Sequence, residues 1–350
     1  MIHRSSIRSL TLPAIAGAMF AAVFTIPAVG ALVTTNLFTQ LDGSNLSAGA
    51  VSNWADQKFD EDGTATNNHQ DFGQATTGNQ PTAVANFTMP NGTNHTIVDF
   101  TRGSVTSSNN SNTGSHYLRG RTGGDVVNGF GGADSAYEVA NGLSWFAVFR
   151  SDIVTTSTTS NNERQQRQGV LYSSYDSLID FGTRYINTSG GGGTEQTAEL
   201  FNAARDGVGG DELGNFYGDV ASPASWYITG AVWDLSLGSL TSRFISELQV
   251  TLNDDHTLDP WTTPLPTHLS SFLGAISVPG TASWALDGQI AEVLIYNAAL
   301  SGADFNAVMG YLNGKYFIVP EASPVWFGGL ACGAFGLVHI GRRLRKRWAA

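Results

Sequence analysis

The chain of 350 residues holds a single cysteine, Cys332. One thiol excludes an intramolecular disulfide and any zinc centre built on several cysteines. Charge is scarce as well: 13% of residues are Asp, Glu, Lys or Arg, about half the ~25% of ordinary soluble domains. What charge there is leans acidic, with 29 Asp+Glu against 18 Lys+Arg and a formal net charge of -11. That balance excludes the basic surface with which a nucleic-acid partner is met. The chain has no Walker, dinucleotide or heptad pattern, no HExxH helix and no Gly-x-Ser-x-Gly nucleophile elbow. The stretch Gly310 to Lys315 (GYLNGK) is one residue too short for a phosphate-binding loop.

Present instead are 41 glycines, many uncharged polar residues and 41% hydrophobic residues. This is enough apolar material for one sizeable core, in a composition that suits a secreted, loop-rich β protein. Aromatic and β-branched runs predict strands over 143–150, 225–233, 244–252 and 289–296, with two more over 169–172 and 178–185. In the third, Leu248, Val250 and Leu252 fall on one face. The fourth, QIAEVLIY, is apolar on both faces and reads as a central strand. One helix follows Ser301, whose spacing to Asp304 is that of a capping box. Phe305, Val308, Met309 and Leu312 form its apolar stripe, and Gly314 is placed to end it.

The two ends read as addresses. Arg4 and Arg8 precede the apolar run Ala14 to Pro27 and the small residues Val29-Gly30-Ala31. That order is a secretory signal peptide over residues 1–31, cut by signal peptidase near Ala31, the alternative being an uncleaved anchor. At the other end, Ala322 to Gly341 is 20 residues without a formal charge, about 30 Å as a helix and just long enough to cross a bilayer core. Arg342, Arg343, Arg345, Lys346 and Arg347 follow it and are expected to stay cytoplasmic. Pro320-Glu321-Ala322, this span and its basic end together resemble the PEP-CTERM sorting signal of Gram-negative bacteria, over residues 319–350. The resemblance implies recognition and processing by an exosortase at the inner membrane, then release to the cell surface or extracellular matrix. The third motif residue is Ala322 where that family usually has proline, and an ordinary tail anchor is the alternative. Seven of the 18 cations lie in these two segments, so loss of both would leave 11 cations against 29 acids, a net of -18.

Between the ends, Trp284 to Ile318 resembles the closing segment of laminin-G-like, concanavalin A-like domains of environmental bacteria. The matching residues are Gly288, Ile290 to Tyr296, Ala299 to Ser301, Tyr311, Leu312, Lys315 and Tyr316. Leu41-Asp42-Gly43 and Val51 to Asp56 resemble the opening of the same group. The resemblance implies an all-β jelly-roll sandwich of two antiparallel sheets over 32–318 with one short C-terminal helix. Lectins, glucanases and non-catalytic adhesion modules all use that fold, so it does not decide the function.

Candidate chemistry is sparse. The glucanases of the superfamily carry Glu-x-Asp-x-x-Glu on one strand, and this chain has no such run. Glu195 to Glu199 has the wrong spacing, and Asp60-Glu61-Asp62 reads as a solvated loop. Asn253-Asp254-Asp255 with Asp259 is the best cluster of oxygen ligands, either for Ca2+ or as a plain hydrated turn. Of the six tryptophans outside the tail, Trp261 follows Pro260 in a loop and is the candidate exposed platform for a sugar; the others are expected in the core. The expectation is therefore an exported, exosortase-sorted, non-catalytic protein that associates with exopolysaccharide or other envelope components. A protein-adhesion module without sugar specificity and a divergent glycoside hydrolase are the alternatives. Two buried carboxyls facing each other across a groove would revive the hydrolase.

Overall fold

A computed structural model describes residues 30–57, 72–105, 111–113, 115–120, 142–152, 168–174, 179–187, 196–205, 212–217, 224–257, 270–278, 281–283 and 285–318. All of these belong to one unit spanning Val29–Val319. The signal peptide, the sorting motif, the apolar span and the basic end lie outside the described residues. Within them no helix is long and apolar enough to cross a membrane.

The described chain forms the expected antiparallel jelly-roll sandwich with one helix. The first sheet runs, edge to edge, through Thr251–Thr257, Ser239–Ser246, Trp226–Asp234, Gly142–Ser151, Gly288–Tyr296, Asn94–Phe100, Thr82–Thr88 and Gly49–Ala50. The second runs through Glu212–Tyr217, Gln196–Arg205, Ile179–Asn187, Gln168–Ser174, Ser270–Leu273, Leu118–Gly120, Phe72–Gly73 and Asn53–Trp54. A small third sheet joins Ile276–Val278, Thr281–Ser283, Ser111–Thr113 and Ser104–Val105.

Alternation along the strands of the first sheet builds two cores. Trp145, Ala147, Phe149, Tyr227, Ala231, Trp233, Val293 and Ile295 turn inward with Trp54, Phe72, Val170, Leu200 and Leu273. Phe146, Val148, Trp226, Ile228, Leu294 and Tyr296 turn the other way, toward helix α1 (Gly302–Tyr316). Both faces of these strands are thus covered, which is why they read as nearly continuous apolar runs. Helix α1 presents Phe305, Val308, Met309, Leu312 and Tyr316, one stripe at helical spacing. The Ser301 hydroxyl accepts the Asp304 N–H at 3.2 Å and donates to the Asp304 carboxylate at 2.7 Å, so the predicted cap forms.

Gly288–Tyr296 is central, as expected. One edge pairs with Gly142–Ser151. The other is divided: Gly288 to Ile290 pair with Phe100 to Val98, and Glu292 to Tyr296 pair with Leu37–Asp42. Two glycines of the resemblance sit where no other residue fits. A Cβ on Gly288 would lie 2.1 Å from the Arg150 carbonyl oxygen, and one on Gly43 would lie 2.2 Å from that of Thr96. Both obstacles are backbone, which has no rotamer by which to yield.

Two expectations are corrected. The run 244–252 is not one strand: Ser239–Ser246 ends, the chain turns, and Thr251–Thr257 returns as the sheet edge. Leu248 and Val250 lie in the turn, 80% and 55% exposed. Helix α1 does not stop at Gly314 but continues to Tyr316. Its last two residues are held by side-chain contacts that outweigh the weak helix propensity of glycine.

Candidate functional site

A buried cluster of charge lies between the first sheet and helix α1. Asp42 and Glu292 are direct partners on adjacent strands, and like charges in that position destabilise a sheet. Lys315, from the last turn of α1, resolves the conflict. Its Nζ donates to Asp42 Oδ2 at 2.6 Å and to Glu292 Oε2 at 2.8 Å. The Tyr316 hydroxyl donates to Glu292 Oε2 at 2.8 Å, while Gln40 Nε2 and the Tyr311 hydroxyl reach Oε1 at 3.3 and 3.4 Å. The Ser44 N–H donates to Asp42 Oδ1 at 2.9 Å. Glu292 is wholly buried, and the Lys315 and Asp42 side chains are 17% and 11% exposed.

Burial and charge set each group apart. Burial pushes Asp42 up, but Lys315 and the Ser44 contact outweigh it and hold Asp42 below the ordinary aspartate value. Glu292 moves the other way, because burial and then the Asp42 charge exceed what Lys315 restores. Burial would lower Lys315, yet the two carboxylates raise it above an ordinary lysine. Burial and the Glu292 charge raise Tyr311, Tyr316 and Tyr296.

These shifts carry a pH dependence. Lys315 and the three tyrosines all keep their protons in the folded state beyond the values at which an unfolded chain gives them up. Their contribution is complete below ~10, where unfolded Tyr and Lys begin to titrate, and is lost as pH climbs beyond it. Unfolding at alkaline pH should therefore release protons, and stability should fall steadily above about pH 10. Urea unfolding midpoints measured from pH 8 to 11 check this; a flat profile would contradict the cluster.

The two carboxylates contact one ammonium, at 2.6 and 2.8 Å, and so lie close to each other. They face each other across Lys315 rather than across a groove, and Glu292 has no exposed surface. Occupied in this way, the pair is a pin between the helix and the sheet. Nothing about the separate positions of Asp42, Glu292, Tyr311, Lys315 and Tyr316 in the sequence revealed that they meet, although all five fall within the segments that resemble laminin-G-like domains.

A second polar group crosses the interior of the sandwich. Asn202, on Gln196–Arg205 of the second sheet, accepts the Trp145 indole N–H at 3.2 Å through Oδ1, and its Nδ2 donates to Thr229 Oγ1 at 2.9 Å. All three residues are wholly buried. No pattern in the sequence marks Asn202, whose strand was not among those expected.

A third group lies at the end of the first sheet. Gln289 Nε2 donates to Asp99 Oδ1 at 2.6 Å and reaches Asp152 Oδ2 at 3.5 Å, and Arg150 pairs with Asp152 at 2.8 Å. Burial raises Asp287 nearby.

The sequence-derived sites are placed as follows. Asp254 and Asp255 are neighbours on the edge strand Thr251–Thr257 rather than in a turn, so their side chains leave opposite faces of the sheet. Asn253, beside them, accepts from Arg243 Nε. Asp259, Trp261 and Asp60 to Asp62 lie outside the described residues, as do Pro320, Glu321, Ala322, Arg342, Arg343, Arg345, Lys346 and Arg347. Among the described residues no three His, Cys, Asp or Glu side chains are arranged to hold a metal ion. Trp54, Trp145, Trp226 and Trp233 are in the core, as expected.

The chain matches no family model and no curated protein. Among solved structures it is similar to the CBM40 of the Ruminococcus gnavus IT-sialidase bound to alpha2,3 sialyllactose. That likeness covers 48% of this chain and 82% of the other, at 14% identity and a TM-score of 0.29. A heptameric SAP-like pentraxin from Limulus polyphemus is similar over 49% of this chain and 69% of its own, at 10% identity and a TM-score of 0.31. The binding domain of botulinum neurotoxin serotype D/C is similar over 78% and 52%, at 10% identity and a TM-score of 0.38. Likenesses this loose carry no argument about what the chain does, and the architecture rests on its own strand pairing.

Proposed function

We propose that this is an exported, exosortase-sorted surface or matrix protein whose sandwich associates with polysaccharide and has no catalysis of its own. The observation that carries the non-catalytic part is the state of Asp42 and Glu292. They are neighbouring carboxylates, but both are bound by the Lys315 ammonium and helix α1 lies over them. General acid-base work on a glycosidic bond needs two carboxyls with unequal environments flanking an open cleft. The export and sorting parts rest on the basic, apolar and small-residue order of the two ends. The polysaccharide part rests on the pairing of such a tail with a lectin-type sandwich.

Two measurements test the reading. Folded protein from Leu32 to Ile318 is applied to a glycan array with and without Ca2+ and, in parallel, to polysaccharides assayed for reducing-sugar release. Glycan binding without sugar release is expected. Silence on the array in both conditions, with capture of envelope proteins in a pull-down, would favour a protein-adhesion module. Sugar release would return the hydrolase reading. For sorting, deletion of residues 319–350 should release soluble protein into the medium; unchanged surface retention would defeat that part.

A further inference from the structure

The turn between Ser239–Ser246 and Thr251–Thr257 is built the reverse way from an ordinary surface hairpin. Its residues are Glu247, Leu248, Gln249 and Val250. Both polar side chains are tied back onto the fold. Glu247 Oε2 accepts the Trp226 N–H at 3.3 Å, and the Glu247 N–H donates to the Trp226 carbonyl at 3.0 Å. Gln249 and Asn313 exchange two side-chain hydrogen bonds, each 3.0 Å. The apolar pair faces solvent instead, Leu248 at 80% exposure and Val250 at 55%.

The turn is also fixed in shape. The Ser246 N–H donates to the Val250 carbonyl at 2.9 Å, and the Gln249 N–H to the Ser246 carbonyl at 2.8 Å. Gln249 takes a φ of +62°, a left-handed conformation that a glutamine adopts only where its surroundings impose it. Scattered exposed leucines are ordinary on protein surfaces. A rigid turn that spends its polar groups on the fold and shows only apolar ones is a different object.

Its position gives it a partner. Asn313, which holds Gln249, also accepts the Ile318 N–H at 2.9 Å through its carbonyl. The turn therefore sits beside the point where the chain leaves helix α1. Only Val319, Pro320 and Glu321 separate Ile318 from Ala322, the first residue of the uncharged 20-residue segment. Those four steps reach at most about 14 Å, at ~3.6 Å per residue. The headgroup region on one side of a bilayer is itself roughly 5–8 Å deep. While that segment spans a membrane, the chain end at Ile318 is held within that reach of the headgroups, and the turn is next to that end.

From this we infer that Leu248 and Val250 form a membrane contact that seats the sandwich on the outer face of the bilayer before the tail is removed. The partner is the lipid interface itself, met by apolar side chains. The chain between its two ends carries many more acids than cations, so the contact is apolar rather than electrostatic. This inference rests on the reading of residues 322–341 as a membrane span, and the experiment separates the two.

The full chain is reconstituted into phosphatidylethanolamine–phosphatidylglycerol vesicles containing nitroxide-labelled lipid. It carries one environment-sensitive thiol-reactive fluorophore at a time. Native Cys332 reports on the span. In a Cys332→Ala background, Leu248→Cys and Val250→Cys report on the turn, and Leu237→Cys is the control. Leu237 is 71% exposed and lies past the opposite end of Ser239–Ser246, roughly 25 Å away along the strand. Quenching at positions 248 and 250 should exceed that at 237 by at least about twofold, as expected for side chains at the interface rather than in water. Quenching at Cys332 together with equal signals at 248, 250 and 237 would overturn the membrane contact and leave the span standing. No quenching at Cys332 would overturn the span and the contact with it.

Discussion

Replacing Lys315 with methionine is expected to destabilise the sandwich by about 3–5 kcal/mol, the usual result of removing one partner from a buried ion pair. The large value follows from what is left behind. Asp42 and Glu292 are strand partners, and Glu292 has no exposed surface, so the methionine leaves two like charges facing each other, one of them wholly buried. The loss should shrink in acid, and the sign is fixed by linkage. Without the lysine, the folded-state pKa of Glu292 rises further above its unfolded value of ~4.3. Ionising it then opposes folding at neutral pH, and that penalty disappears as pH falls through the raised value. Adding Glu292→Gln and Asp42→Asn to Lys315→Met removes the charge conflict and should recover most of the lost stability. Urea unfolding followed by tryptophan fluorescence at pH 7 and pH 5 measures both effects. A loss under about 1 kcal/mol, independent of pH, would mean that the cluster is solvated like a surface pair.

The second large effect concerns the interior bridge. Asn202→Ala should cost about 2–4 kcal/mol, from a small cavity and from leaving the Trp145 N–H and the Thr229 hydroxyl without a partner where neither meets water. Thr229→Val alone should cost only about 1 kcal/mol, since Asn202 keeps its bond from Trp145. The double change Asn202→Leu with Thr229→Val refills the space and removes two of the three polar groups, so it should lie nearer the parent than Asn202→Ala does. The same unfolding assay ranks the three. If Asn202→Ala proved no worse than Thr229→Val, the Trp145 contact would have no part in stability.

What the sequence disclosed follows from which faces are covered. Gly142–Ser151, Trp226–Asp234 and Gly288–Tyr296 were legible because the second sheet covers one side of them and helix α1 the other, which forces apolar residues at nearly every position. Thr82–Thr88 escaped notice: most of its residues are exposed, and Asn86, at φ +56°, sits within a register shift that breaks the alternation. The hairpin at 246–251 was misread because its left-handed residue is Gln249 rather than glycine or asparagine, so the usual turn signature is missing. The helix outran Gly314 because Lys315 and Tyr316 are bound to Glu292. The ion cluster was out of reach for another reason. Asp42 and Lys315 lie at opposite ends of the domain sequence, and the pairing that joins them is a property of the closed sheet. The resemblance marked those residues without saying what they do, and the geometry supplies the role.

The divided edge of Gly288–Tyr296 also dictates the timing of folding. This strand receives Leu37–Asp42, Asn94–Phe100 and Gly142–Ser151, so three earlier strands of the first sheet are joined by one of the last to be made. Before that strand appears, the first sheet exists only as two separate flanks, Thr82–Thr88 with Asn94–Phe100 and Gly142–Ser151 with Trp226–Asp234, and Asp42 has no counter-charge until Lys315 follows. Closure is then long-range and slow. Under the export proposed above, this order would keep the sandwich open until almost all of the chain had been synthesised.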